Sequence, residues 1–230
     1  MRIIITGASR GIGRETAIAL SENKAHTILA IARDEDKLKL LANKAAHGNI
    51  LILPMDISQI KTDDLLETVT VMGGVDVLVN NAGLLINKPF EALSLDDWQK
   101  TFDVNLFAVV RLIGLLEPFL KKSKDAHIVN IGSMGGYQGA SKFPGLAAYS
   151  TSKAAIASLT ECLAQEFSEA KIAVNCLAFG AVQTEMLEQA FPGYKAPLSA
   201  DEMAEFLSWF ATKGQHFFNG KILPVSLSTP

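Results

Sequence analysis

Short runs of apolar, largely β-branched residues recur along this chain, and each is apolar on both faces rather than on alternate positions. They lie at residues 2–6, 27–31, 50–53, 75–79, 127–131 and 172–178, and a last run covers 221–225. A strand with one face in water alternates apolar and polar side chains, whereas a continuous run belongs to a strand covered on both sides. Helix-patterned stretches separate these runs. Strands joined through helices return in the same direction, so the pattern demands a parallel sheet with right-handed crossovers and helices on both faces.

The helical stretches carry their own signals. One runs from Gly11 to about Asn23, and Asp34 opens another with Leu38, Leu41, Ala42 and Ala45 on one face. Thr62 starts a third. Ser94, with Asp97 three positions on, heads a long unbroken helix whose stripe is Trp98, Phe102, Leu106, Val109, Ile113 and Leu116. A second long helix from Tyr149 shows Ile156, Leu159, Leu163 and Phe167, and 199–212 forms another. The expected fold is α/β, a three-layer doubly wound Rossmann fold with a parallel sheet of about seven strands. With 49% apolar and 20% charged residues, the 230-residue chain reads as one domain, 1–230, with a short substrate loop at about 184–199.

The same composition excludes several classes of function. A net charge of −3 gives no electrostatic footprint for nucleic acid, and Lys121-Lys122-Ser123-Lys124 reads as the solvated end of a helix. No apolar stretch approaches the roughly 18 residues of a membrane span, and the run after Met1 is too short for a signal peptide. Cys162 and Cys176 form no disulfide framework and read as buried thiols in a reducing, cytoplasmic setting. His26, His47, His127 and His216 are isolated in sequence, so no metal site is expected.

Two constellations carry chemistry. Thr6-Gly7-Ala8-Ser9-Arg10-Gly11-Ile12-Gly13 follows the first strand and opens the first helix. There Gly7 permits a tight turn, while Gly11 and Gly13 let backbone approach a pyrophosphate and helix approach sheet. At the end of the second strand, where an acid would bind the ribose 2′-hydroxyl of NAD, the chain reads Ala30-Ile31-Ala32-Arg33. A guanidinium suits the 2′-phosphate of NADP, and Arg10 offers a second cation, so NADP(H) is expected over NAD(H). The second constellation is Tyr149-Ser150-Thr151-Ser152-Lys153. A spacing of four puts Tyr149 and Lys153 on one helix face, and a neighbouring ammonium favours phenolate. The tyrosine is therefore expected to have a lowered pKa and to act as a proton donor and acceptor.

Together the glycine loop, Asn80-Asn81-Ala82-Gly83, Asn105, Ser133 and Tyr149-x-x-x-Lys153 resemble a short-chain dehydrogenase/reductase of the compact single-domain branch, in order from residue 1 to about 225. The resemblance implies catalytic roles for Asn105, Ser133, Tyr149 and Lys153. Ser133 would bind the substrate carbonyl, Lys153 would hold the nicotinamide ribose, and Asn105 would hold a water behind the lysine. It also implies that Gly7, Ser9, Arg10, Gly11, Ile12 and Gly13 bind the cofactor with Arg33. Asp56 and Ile57 would lie at the adenine, Asn81, Ala82 and Gly83 beside the adenosine ribose, and Gly180, Val182 and Thr184 at the carboxamide. The implied partners are a small carbonyl or alcohol substrate and a second copy of the chain, as a dimer or tetramer.

Three positions depart from the family's pattern. The stretch between Ser133 and Tyr149 is longer than usual, which alters one wall of the substrate pocket. Phe179 stands where proline is usual before Gly180, which frees the loop and leaves its ring to press on cofactor or pocket. The ending at 225–230 lacks the acidic, double-glycine close that supports tetramers. The loop at 184–199 offers Met186, Leu187, Phe191 and Tyr194 with a single lysine, Lys195, which favours a neutral or apolar carbonyl compound. Two alternatives stand beside a carbonyl reductase: a 3-oxoacyl-thioester reductase, and a dinucleotide-sensing regulator without turnover.

Overall fold

A computed structural model describes residues 1–227; of the C-terminal ending at 225–230, residues 228–230 lie outside the described residues. In chain order the elements are β1 (Arg2–Thr6), α1 (Gly11–Ser21), β2 (Thr27–Ala32), α2 (Glu35–Ala42), β3 (Ile50–Pro54), α3 (Thr62–Val71) and β4 (Val77–Asn80). Then follow α4 (Leu95–Phe102), α5 (Ala108–Leu120), β5 (His127–Ser133), α6 (Ala147–Glu166) and β6 (Ala173–Phe179). The chain ends with β7 (Val182–Gln183), α7 (Glu185–Ala190), β8 (Leu198–Ser199), α8 (Ala200–Lys213) and β9 (Ile222–Val225).

Seven strands form one sheet in the order β3-β2-β1-β4-β5-β6-β9, and every pairing is parallel. The order reverses between β1 and β4, the switch point where an open sheet of this kind leaves a crevice beyond its strand ends. Ile3 and Ile5 face one core with Leu20, Val79, Leu207 and Phe210, while Ile4 faces the other with Leu29, Leu78, Leu112 and Ile156. That split explains the continuous apolar runs, since each strand fills two cores at once. Ser94 and Ser199 cap α4 and α8 through reciprocal boxes with Asp97 and Glu202.

The long helix expected from Ser94 is not continuous. Between α4 and α5 the chain makes one wide turn, Asp103–Phe107, closed by the Ala108 N–H bonding Asp103 O. Such a π-turn takes one residue more than a helical turn and re-aims the side chains within it. Asn105 sits in that turn. A two-stranded parallel pair, β7 with β8, is also present and holds the two ends of the substrate loop together. Phe179 is buried in the core with Val182, Met203 and Leu207, so the sheet interior takes up the ring.

Candidate active site

The glycine loop is braced from β4. Gly7 has φ +68°, which suits a residue without Cβ, and a Cβ on it would stand 2.8 Å from Ala82 Cα. Asn81 Nδ2 donates to Thr6 O at 2.9 Å and Gly7 O at 3.3 Å, while Thr6 Oγ1 accepts from the N–H groups of Asn81 and Ala82, both at 3.1 Å. A Cβ on Gly13 would overlap Asn81 Nδ2 and stand 2.6 Å from Gly7 O. The spacing therefore reflects close approach of backbone to side chain. Helix α1 begins with no side-chain cap and no acid in its first turn, unlike α2, α4 and α8. Its free N–H groups and dipole suit an anion, and the residues present fit a dinucleotide pyrophosphate. Ser9, Arg10 and Ile12 lie half-buried in the same loop.

Beyond the loop, Arg33 follows β2 directly and is 77% exposed. Its guanidinium lies 4.0 Å from the Asp56 carboxylate, a contact that solvent screens heavily. Asp56 also accepts from Ser58 N at 2.9 Å and Ser58 Oγ at 2.7 Å, and Ile57 beside it is buried in the core. Across the crevice, Thr184 caps α7 through Leu187 N and lies over Gly11, where a Cβ would meet Thr184 Cγ2 at 3.3 Å. A cleft of about 510 Å³ opens there between Gly11, Arg14, Thr184, Glu185, Glu188 and Ala200. Val182 is buried, and a Cβ on Gly180 would overlap Ser226 Oγ.

The four residues expected to be catalytic converge at the C-terminal ends of β4 and β5. Ser133 closes β5, and its Oγ accepts from Gly135 N at 3.1 Å. Tyr149 and Lys153 project from the first turns of α6, with Lys153 Nζ 5.8 Å from the Tyr149 ring centre. Lys153 is buried, donates to Ile131 O at 2.7 Å, and is pushed down to about 8 by loss of hydration. Burial pushes the Tyr149 phenol above its usual value, with the Ser133 hydroxyl opposing. The lowered tyrosine pKa expected from the sequence is therefore not what this arrangement gives, because burial disfavours the phenolate more than the Ser133 hydroxyl favours it. Tyr149 is protonated at neutral pH.

Asn105 is more tightly held than expected. Its Oδ1 accepts from Leu84 N at 2.8 Å, and its Nδ2 donates to Leu84 O and to Ser152 Oγ, each at 2.9 Å. Both this amide and the lysine neighbour Gly83: a Cβ there would be 3.6 Å from Asn105 Oδ1 and 3.7 Å from Lys153 Nζ. Sequence reasoning missed Ser152 and Asn87. Asn87 Nδ2 donates to Ala190 O at 2.8 Å, fastening the last residue of α7, and its amide oxygen packs against Gly145. The next residue, Lys88, bonds Gly145 O through its N–H and both Asp97 oxygens at 2.9 Å through Nζ.

Residues 1–195 match the family described as short chain dehydrogenase. An uncharacterized oxidoreductase of Staphylococcus saprophyticus is 38% identical over 192 residues, covering 81% of this chain and 76% of that protein. Among solved structures, a 3-ketoacyl-(acyl-carrier-protein) reductase from Brucella melitensis complexed with NADH superposes with a TM-score of 0.87 at 26% identity, over 97% of this chain and 96% of that one. Acetoin dehydrogenase from Salmonella typhimurium gives 0.84 at 27% identity, over 97% and 93%. The order of the sheet, the glycine loop at its switch point and these matches agree, and the chain belongs to the short-chain dehydrogenase family of oxidoreductases.

Proposed function

We propose that the chain is an NADP(H)-dependent oxidoreductase that reduces a carbonyl compound, or oxidises the matching alcohol, with Tyr149 as the acid and base. The observation that carries this reading is the convergence of Ser133, Tyr149 and Lys153 beside an uncapped glycine-loop helix. A bound nicotinamide cofactor supplies or takes the hydride. Ser133 and Tyr149 hydroxyls stabilise the negative charge that develops on the substrate oxygen, and Tyr149, protonated at neutral pH, delivers the proton. Lys153, cationic below about pH 8, is placed to draw the proton balance toward phenolate in the reverse direction. Asn105 and Lys153 meet on the same side of Gly83, where the second Oδ1 lone pair of Asn105 can hold a water for proton exchange.

The preference for NADP(H) rests on Arg33, whose guanidinium is exposed and held by a single long ionic contact. The first test is a titration with NADPH and NADH, followed by energy transfer from Trp98 and Trp209. Arg33→Ala should weaken NADPH by about tenfold or more and leave NADH nearly unchanged, as expected for loss of a charged phosphate contact; equal losses would overturn the preference. Tyr149→Phe should lower kcat by about 100-fold or more with intact NADPH binding. Retained turnover would remove Tyr149 as the acid.

The substrate is a neutral or apolar carbonyl compound. Around its pocket Lys88 is committed to Asp97 and Lys142 to Tyr137 O, while Phe143 and Tyr194 are exposed. A 3-oxoacyl thioester is the second reading, favoured by the likeness to the Brucella reductase; kcat/KM for a thioester far above that for simple ketones would select it. Binding without turnover over a broad panel would instead leave a dinucleotide sensor. The exposed Phe107, at the end of the π-turn, and Val110, on α5, give a homodimer its contact face, which light scattering tests. Both cysteines are free thiols and suit a reducing cytoplasm; Cys176 is buried as expected, but Cys162 is exposed on α6 rather than buried. No helix among the described residues is long and apolar enough to cross a membrane.

A further inference from the structure

Ser152 stands one position before Lys153, inside the second turn of α6, and is fully buried. Serine is a poor choice there for the helix alone, since its hydroxyl competes for backbone bonds and bends the turn. Its bonds show what it does instead. The hydroxyl donates to Tyr149 O at 2.7 Å, and its oxygen accepts from Asn105 Nδ2 at 2.9 Å. The directions are fixed by chemistry: a carbonyl only accepts and an amide nitrogen only donates, so the proton of Ser152 goes to Tyr149 O and its lone pair faces Asn105. The other Nδ2 hydrogen goes to Leu84 O, and Oδ1 takes the Leu84 N–H. Three partners thus hold the amide in one orientation, with the remaining Oδ1 lone pair free to face Gly83 and Lys153.

We propose that Ser152 is a positioning residue for the reaction: it ties the π-turn that carries Asn105 to the turn of α6 that carries Tyr149, so that acid, lysine and amide move as one unit. This rests on the reading of Tyr149 as the proton donor. Ser152 touches neither substrate nor cofactor. It acts through the backbone carbonyl of the tyrosine and through the side chain of the asparagine, and the two elements it joins are far apart in sequence. Removing the hydroxyl leaves one Nδ2 hydrogen of Asn105 buried without an acceptor and releases the Tyr149 carbonyl from its side-chain bond.

The test uses Ser152→Ala, Ser152→Thr and Ser152→Cys in the full chain, with two readouts. The first is the ultraviolet titration of tyrosinate, assigned by difference against Tyr149→Phe; only three tyrosines are present, and no turnover is needed. The second is the pH profile of kcat together with KM for NADPH. Ser152→Ala should lower kcat by about tenfold, the scale of one hydrogen bond. It should also displace the Tyr149 titration by about half a unit or more, with KM for NADPH changed less than about twofold. Ser152→Thr, which keeps the hydroxyl, should restore both. In combination with Asn105→Ala, the serine change should cost little more than Asn105→Ala alone. If Ser152→Ala does not fold, Ser152→Cys fills the same space with a weaker donor and acceptor and should show the same displacement in smaller measure. A variant with lowered Tm but an unchanged tyrosine titration and kcat profile would overturn the proposal, as would full additivity with Asn105→Ala. Absence of turnover in the unmodified protein would refute the enzyme reading, and the titration would still decide the role of Ser152.

Discussion

His127 should make this protein lose stability as the pH falls from about 6.5 toward 4. The ring is fully buried between β5 and α8, 5.5 Å from the Phe210 ring. Its Nδ1 lies 3.1 Å from Ala211 O, and its Nε2 lies 3.1 Å from Asn175 Nδ2. Asn175 cannot turn over, because its Oδ1 accepts from Lys221 N and its Nδ2 also donates to Phe218 O. The neighbours therefore require a neutral ring with the proton on Nδ1, and a second proton would set N–H against NH₂. Burial pushes the imidazole down from 6.5 to about 4, with His216 adding to the shift and the Ala211 carbonyl opposing it. The unfolded chain binds a proton near 6.5 and the folded one only near 4, so stability is full above the unfolded value and falls as pH drops between the two. At 1.36 kcal/mol per unit, the loss is about 3 kcal/mol, most of it complete by about pH 4.5. His26, lowered mainly by burial, adds a smaller loss of the same sign. Asp76 and Asp97, both held at about 2, stay ionised through this window. Urea unfolding followed by Trp fluorescence from about pH 7 to 4.5 measures the slope. His127→Gln should start less stable and show a clearly shallower slope, with His26 accounting for the remainder. An unchanged slope in that variant would refute the reasoning.

Gly13→Ala should weaken nicotinamide nucleotide binding by more than about tenfold and destabilise the fold by about 1–3 kcal/mol, because the new methyl overlaps Asn81 Nδ2. Titration and urea unfolding check both, and an unchanged affinity would mean that the loop does not hold the nucleotide. Asn87→Asp keeps the shape of the side chain and removes the donor to Ala190 O, so α7 should open more often. Hydrogen exchange of the α7 amides should quicken by about five- to tenfold, the scale of one hydrogen bond; unaltered exchange would show that Asn87 does not fasten the loop.

The strands were legible because burial on both faces writes itself as unbroken apolar runs, and the ends of α4 and α8 because Ser94 and Ser199 cap locally. The π-turn left no such mark. The stripe of Trp98, Phe102, Leu106 and Val109 has spacings that a continuous helix also accommodates, and the extra residue shows only in where Asn105 points. The glycine loop, Ser133, Tyr149 and Lys153 could be placed together from their order. The sign of the Tyr149 shift could not, because it depends on how deeply the fold buries the phenol. Ser152 and Asn87 escaped for the same reason: each is defined by partners far along the chain, Asn105 for one and Ala190 for the other.

The carboxamide of Asn81 has a consequence for how affinity and folding are related. It spans the ends of β1 and β4, and it holds the glycine loop through the carbonyls of Thr6 and Gly7. The loop is therefore ordered by the sheet before any ligand arrives, and the entropy of shaping it is lost during folding rather than during association. With the proposed cofactor in this loop, affinity for the nucleotide would then become a property of the strand ends. A substitution that shifts β4 against β1, even one buried at Val77 or Ile3 beneath the crevice, should loosen the grip on the ligand without touching it.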